Sequence, residues 1–196
     1  MNIAAILLAA GSAKRFGSDK LLHALPHDVP IAVQAARQLK AVFGSKVFAV
    51  TRPEARELAD LLRAEGCEVV PCEGAAGGMG ASLACGVRTA SAAGPADAYL
   101  VALGDMPFVR ASTIAAVRDA LADGAALAAP YFHARRGHPV GIAARFRAEL
   151  EALQGDEGAK ELLARHADEL IKIPVGDPGA VRDIDTPGDL APPLVV

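Results

Sequence analysis

Asn2-Ile3-Ala4-Ala5-Ile6-Leu7-Leu8-Ala9-Ala10-Gly11-Ser12-Ala13-Lys14-Arg15-Phe16-Gly17-Ser18-Asp19-Lys20 is the stretch on which the fold turns. Its first half, residues 2–9, is continuously apolar rather than alternating. A strand with no polar face is covered on both sides, as in parallel sheets flanked by helices. The second half sets Gly11 and Gly17 among small residues, so the backbone can approach a ligand closely and aim several N–H groups at it. Arg15 and Lys20 add positive charge beside those amides, one as a planar fork and one as a point charge. Such a loop suits a triphosphate; on its own it reads equally as a solvated turn. Its spacing fits neither the dinucleotide fingerprint G-x-G-x-x-G nor the phosphate loop G-x-x-x-x-G-K-[ST].

Outward from this stretch, short apolar runs, Gly- or Pro-marked loops and helical patterns alternate. Ile31, Ala35, Leu39 and Val42 fall at helical spacing, and a strand follows over 46–50. Pro53 opens a helix with Leu58, Leu61 and Leu62 inward, Gly66 closes it, and the next strand covers 67–70. A helix over 82–92, a buried strand over 98–103, a helix carrying Ile114, Val117 and Leu121, and a strand over 126–130 complete the regular part. Beyond it we read a strand over 138–142, helices over 144–153 and 156–166, and a strand over 170–175. The Pro-rich tail, 185–196, holds one helical turn. This alternation implies a single α/β domain over 1–196, with helices on both faces of a mainly parallel sheet. Ligands of such sheets bind at the carboxyl ends of the strands. The chemically unusual residues do follow strands: 11–20 the first, 74–82 the third and 104–107 the fourth.

Composition removes several classes of function. The 196 residues, 52% hydrophobic and 22% charged, are enough for a core without disulfides or a structural metal. A net charge of -3 provides no strong field for nucleic acid or an anionic membrane. The longest apolar run, residues 3–10, is far short of the roughly 20 needed to span a bilayer. Nor is it a secretory leader, because Lys14 and Arg15 follow it instead of preceding it. Cys67, Cys72 and Cys85 are odd in number and lack C-x-x-C spacing, so they read as reduced residues of a cytoplasmic protein.

Five further motifs carry candidate chemistry. Gly77-Gly78-Met79-Gly80-Ala81-Ser82-Leu83 is either a plain turn with Ser82 near a helix start or a wall whose backbone meets the edge of a flat base. Asp105 ends an apolar strand, too early to cap the helix near Ala111, and suits a hard cation held by one or two carboxylates plus substrate phosphates. Asp183 and Asp185 offer the partner carboxylate; two apart on an extended segment, they face one way and Ile184 the other. Thr186, Pro187 and Asp189 read as a helix start. His138, in Gly137-His138-Pro139-Val140, is the one histidine in a motif-like setting, and Asp156 reads first as a helix N-cap. Glu73, His23, His27, His133 and His166 carry no spacing signal.

In these motifs the chain resembles nucleotidyltransferases of the nucleotide-diphospho-sugar transferase fold, a three-layer α/β/α Rossmann-like domain. The first stretch is similar to their L-A-A-G-x-[GS]-x-R-[FM]-G-x-x-K signature, with Ala13 as the one departure. Within that superfamily the order of Gly78-Met79-Gly80-Ala81-Ser82, Leu103-Gly104-Asp105-Met106-Pro107, Gly137-His138-Pro139, Gly155-Asp156-Glu157-Gly158-Ala159 and Asp183-Ile184-Asp185 is similar to the molybdenum cofactor cytidylyltransferases. The resemblance implies that Leu8, Ala9, Ala10, Gly11, Gly17, Gly78, Met79, Gly80 and Ser82 bind the nucleotide. It further implies that Arg15, Lys20 and Asp105 are catalytic, and that Asp105 and Asp185 hold Mg²⁺. His138, Asp156 and Asp183 are then expected on the acceptor side, with Lys160 where relatives carry Arg. Ala10, where the guanylyl class has Gly, tilts the base toward cytosine. The implied substrates are CTP and a molybdopterin-type phosphate, and the implied recipient of the product is a molybdoenzyme or its chaperone. Related guanylyl and sugar-phosphate or alcohol-phosphate transferases, and a non-catalytic cofactor carrier, are the alternatives. A nicotinamide oxidoreductase lacks its fingerprint here.

Overall fold

The computed structural model describes residues 1–11, 19–25, 28–44 and 47–190. The opening strand, β1 (Ile3–Ala9), is buried along its whole length. Ile3, Ala5, Leu7 and Ala9 enter one core, while Ala4, Ile6, Leu8 and Ala10 enter a second core on the other face. Neither side meets water, which is why the sequence shows no polar alternation.

A small hairpin, β2 (Ala24–Leu25) and β3 (Val29–Pro30), leads into α1 (Ile31–Phe43), then β4 (Val47–Thr51), α2 (Arg56–Ala64) and β5 (Glu68–Pro71). The chain returns through α3 (Met79–Ala93) to β6 (Ala98–Leu103), α4 (Ala111–Ala122) and β7 (Leu127–Phe132). It continues as β8 (Arg135–Arg136), β9 (Val140–Ala143), α5 (Arg147–Glu151), α6 (Lys160–Arg165) and β10 (Leu170–Pro174). The main path of the sheet is β10-β7-β9-β6-β1-β4-β5. Side chains of α1, α2 and α4 pack on one face, and those of α3, α5 and α6 on the other. The expected architecture is therefore present.

Neighbours pair in parallel except at β9, which lies antiparallel between β6 and β7. Tight turning at His133 and Ala134, both at positive φ, sends β7 back through β8, so β9 enters the sheet reversed. Several boundaries also differ from the sequence reading. The helix expected from Ser82 begins at Met79, and the one expected from Pro53 begins at Arg56. Residues 144–153 divide into a 3-10 turn, Ala144–Phe146, and the short α5. Asp156 is not an N-cap: Gly155 and Gly158, at φ 67 and 54, turn the chain twice before α6 starts. The tail does form its turn, Pro187–Leu190, with the Asp189 carboxylate accepting bonds from the Thr186 backbone N–H and hydroxyl.

The strand order reverses at β1. From β1 the chain moves to β4 and β5 on one side, and then to β6 on the other. A crevice at the carboxyl end of β1 follows from that reversal.

Candidate active site

A cleft of about 640 Å³ occupies this crevice. Leu8, Ala10 and Gly11 from the end of β1 meet Leu103 and Asp105 from the end of β6 on its lining. The Gly104 N–H donates to the Leu8 carbonyl at 2.8 Å, and a Cβ at Gly104 would lie 3.1 Å from that oxygen. Gly104 thus continues the strand pairing and holds Asp105 beside Ala10.

The charged end of the cleft is built from both ends of the chain. Ile184 is fully buried and donates its N–H to the Asp105 carbonyl at 2.9 Å, which draws the C-terminal segment against the sheet. Asp183 and Asp185, on either side of Ile184, are exposed, as the two-residue spacing predicts. Carboxylate oxygens of Asp105, Asp183 and Asp185 lie within 4.8 Å of one another. Three hard oxygen donors this close fit a divalent cation that keeps further positions for phosphate oxygens.

Lys20 Nζ stands 2.9 Å from Asp105 Oδ2 and 3.3 Å from Asp185 Oδ1. Burial by itself would lower its pKa, but the two carboxylates outweigh that and hold the ammonium above its ordinary value. Lys20 opens a short 3-10 turn that Asp19 caps, and Arg52 Nη2 pairs with Asp19 Oδ2 at 3.2 Å. Arg15 and Gly17 lie outside the described residues.

The opposite wall joins two motifs far apart in sequence and carries the carboxylate of Asp156 among small residues. Gly78, Met79 and Ser82, from the first turn of α3, line the cleft. The Gly80 N–H donates to the Gly155 carbonyl at 2.7 Å, and a Cβ on Gly80 would come 2.5 Å from the Gln154 carbonyl oxygen. At Gly78, φ is 103 and a Cβ would overlap the Gly155 carbonyl and Asp156 Oδ1. Both glycines are thus required by close approach of the 154–156 turn. Ser82 is buried and donates its hydroxyl back to the Gly78 carbonyl at 3.1 Å, inside the helix rather than at its cap. Ala9 and Gly80 stand behind this lining, not on it.

Asp156, assigned to the acceptor side by resemblance, lines this same cleft beside Gly78. His138 lies elsewhere, in a small recess between α1 and the end of β6 that Gln38, Leu39 and Met106 also line. Its Nδ1 is buried without a partner among the described residues. Burial pushes its pKa down to about 4, with Arg136 acting the same way and the Val101 backbone and Asp183 opposing, so the imidazole is neutral at pH 7.

Some cleft residues had no signal in the sequence motifs. Arg52, Pro53 and Glu54 follow β4, and Cys72 and Glu73 follow β5. Position was the available signal, because each group sits just past the carboxyl end of a strand. Cys72 is buried, and its neighbour Cys85 is pushed up to about 11 by burial and by Cys72 itself, so the Cys85 thiol stays protonated.

The chain matches the MobA-like NTP transferase domain family over residues 5–170. No curated protein sequence matches it. Among solved structures, Rv0371c from Mycobacterium tuberculosis H37Rv is 24% identical with a TM-score of 0.82, covering 96% of this chain and 94% of its own. Rv0371c in complex with manganese is 21% identical, with a TM-score of 0.75 and 96% of each chain covered. The nucleotidyl transferase Mth528 from Methanothermobacter thermautotroptrophicus is 22% identical with a TM-score of 0.79, covering 96% and 94%. At these identities the likeness is one of fold. The family match spans most of the sequence, so the chain belongs to the MobA-like NTP transferase domain family and is a nucleotidyltransferase.

Proposed function

We propose that this nucleotidyltransferase moves CMP from CTP to the terminal phosphate of Mo-molybdopterin, releasing pyrophosphate and forming the cytosine dinucleotide cofactor. The observation that carries this reading is the make-up of the cleft: Lys20 and Asp105, with Asp183 and Asp185 clustered on Asp105, form its phosphate side, and small residues with the one carboxylate of Asp156 form the wall opposite. The first suits a triphosphate and the second a flat base. Ala10 and Gly78-Met79-Gly80 carry the cytidylyl character.

Asp105, with Asp185 or Asp183, would hold Mg²⁺. A divalent ion so bound supplies charge neutralisation for the phosphoryl oxygens. The manganese complex of Rv0371c, which shares the fold, agrees with a divalent ion. The acceptor phosphate is already ionised near pH 7, so attack on the α-phosphorus needs no general base. What the protein supplies is positioning and electrostatic stabilisation: Lys20 and Arg15 meet negative charge on the triphosphate, and the Gly11 turn lets the backbone approach it. We assign His138 and Asp183 to the acceptor side, His138 from a recess separate from the cleft. We assign the protein to the cytoplasm, where its three thiols stay reduced and a molybdoenzyme or its chaperone could receive the product.

Pyrophosphate release from CTP, GTP, ATP and UTP with Mg²⁺, with and without Mo-molybdopterin, tests the proposal. Release that requires both CTP and the pterin is the expected result. Preference for another base overturns the CTP assignment, and release from CTP with a different phosphate overturns the acceptor.

A further inference from the structure

We infer that Asp156 selects the base, its carboxylate accepting a hydrogen bond from the exocyclic amino group of cytosine and repelling the carbonyl oxygen that uracil carries there. The inference rests on the CTP reading and assigns Asp156 a role on the nucleotide rather than the acceptor. Lys20 and the carboxylate cluster fix the phosphate end of the cleft. The base then lies toward the wall formed by Gly78, Met79 and Asp156.

Asp156 is held there by the docking of its turn on α3. The Gly155 carbonyl takes the Gly80 N–H at 2.7 Å, and Asp156 Oδ1 fills the space that a side chain on Gly78 would need. Among the described residues no donor pairs with this carboxylate, which is exposed on the cleft. The first turn of the 15-residue α3 opens into the cleft and would otherwise attract phosphate. An acidic side chain and a carbonyl at that end repel an anion instead, so the nucleotide enters with its phosphates toward Lys20. An ionised carboxylate only accepts hydrogen bonds. The cytosine amino group donates; the uracil oxygen at the same ring position presents lone pairs.

Calorimetric binding of CTP, UTP and GTP with Mg²⁺ tests this on the wild type, Asp156→Ala, Asp156→Asn and Asp123→Asn, with thermal melting to verify folding. The wild type is expected to favour CTP over UTP by about 10- to 100-fold, the size of one charge-assisted hydrogen bond gained or refused. Asp156→Ala should bring the ratio near unity by weakening CTP. In Asp156→Asn, whose amide both donates and accepts, UTP binding should improve. Asp123→Asn, at the exposed end of α4 and outside the cleft lining, should keep the wild-type ratio. An unchanged CTP to UTP ratio in both Asp156 variants, or an equal loss for both nucleotides, overturns the role given to Asp156. A wild type that binds GTP or UTP best overturns the CTP reading itself, whatever the variants do.

Discussion

Lys20 Nζ, 2.9 Å from Asp105 and 3.3 Å from Asp185, offsets part of the repulsion among carboxylates gathered within 4.8 Å. Clustered like charges destabilise a fold unless a cation compensates them, so the arrangement is paid for by function rather than by stability. Asp105→Asn should therefore keep the fold and lower kcat by about 10²- to 10³-fold, the scale of losing one preorganised electrostatic group. Steady-state pyrophosphate release beside a melting curve checks both halves; wild-type turnover in that variant would remove Asp105 from the reaction. At this scale the sequence was informative where spacing dictates geometry, as in Asp183 and Asp185 outward and Ile184 inward. It was silent on Arg52, which reaches Asp19 across 33 positions of sequence, because no periodicity links the ends of two different strands.

Helix α3 joins the site to the scaffold. Its first turn forms the cleft wall, and Gly86, one level deeper, lets it lie directly on the sheet. A Cβ there would come 2.8 Å from Cγ2 of both Ile6 and Val50, side chains of β1 and β4. Glycine inside a helix costs about 1 kcal/mol relative to alanine, so close contact with the strands is the compensation. Gly86→Val should destabilise the protein by about 1–3 kcal/mol through overpacking. Gly94→Ala, at the end of α3 with nothing within 4 Å, should change little; comparing urea midpoints of the two variants separates packing from propensity. Strands of the parallel core were legible because burial on both faces leaves an uninterrupted apolar run. The start of α3 was not, since Gly78-Met79-Gly80 looks like a turn until the 154–156 segment docks on it. The reversal of β9 was equally hidden: a continuous apolar strand carries no mark of its direction.

Across the whole molecule, the last segment returns over the sheet to complete a site begun at the first strand. Ala180 and Ile184 are fully buried, the His138 N–H bonds the Ala180 carbonyl at 2.8 Å, and Ile184 bonds Asp105. What fastens this strap is Asp177, a carboxylate only 3% exposed. It accepts the Arg110 N–H at 2.9 Å and the Thr113 hydroxyl at 2.7 Å from the start of α4, and the Gly179 N–H at 3.0 Å from its own turn. Helix α4 has no side-chain cap of its own, so a residue 67 positions away serves as one. Removing the carboxylate strands three donors, two of them in a buried place, which costs more than the bonds alone. Asp177→Ala should accordingly lose about 2–4 kcal/mol, whereas Thr113→Val, which removes one of the three bonds, should lose about 1 kcal/mol. Because the strap carries Asp183 and Asp185, Mn²⁺ affinity should also fall in Asp177→Ala, more than in Thr113→Val. Urea unfolding gives the first comparison and calorimetric titration of Mn²⁺ the second. Equal stability of Asp177→Ala and the wild type would show that the strap is held by Ala180 and Ile184 alone. Reduced stability with unchanged Mn²⁺ affinity would separate the latch from the carboxylates it is expected to position.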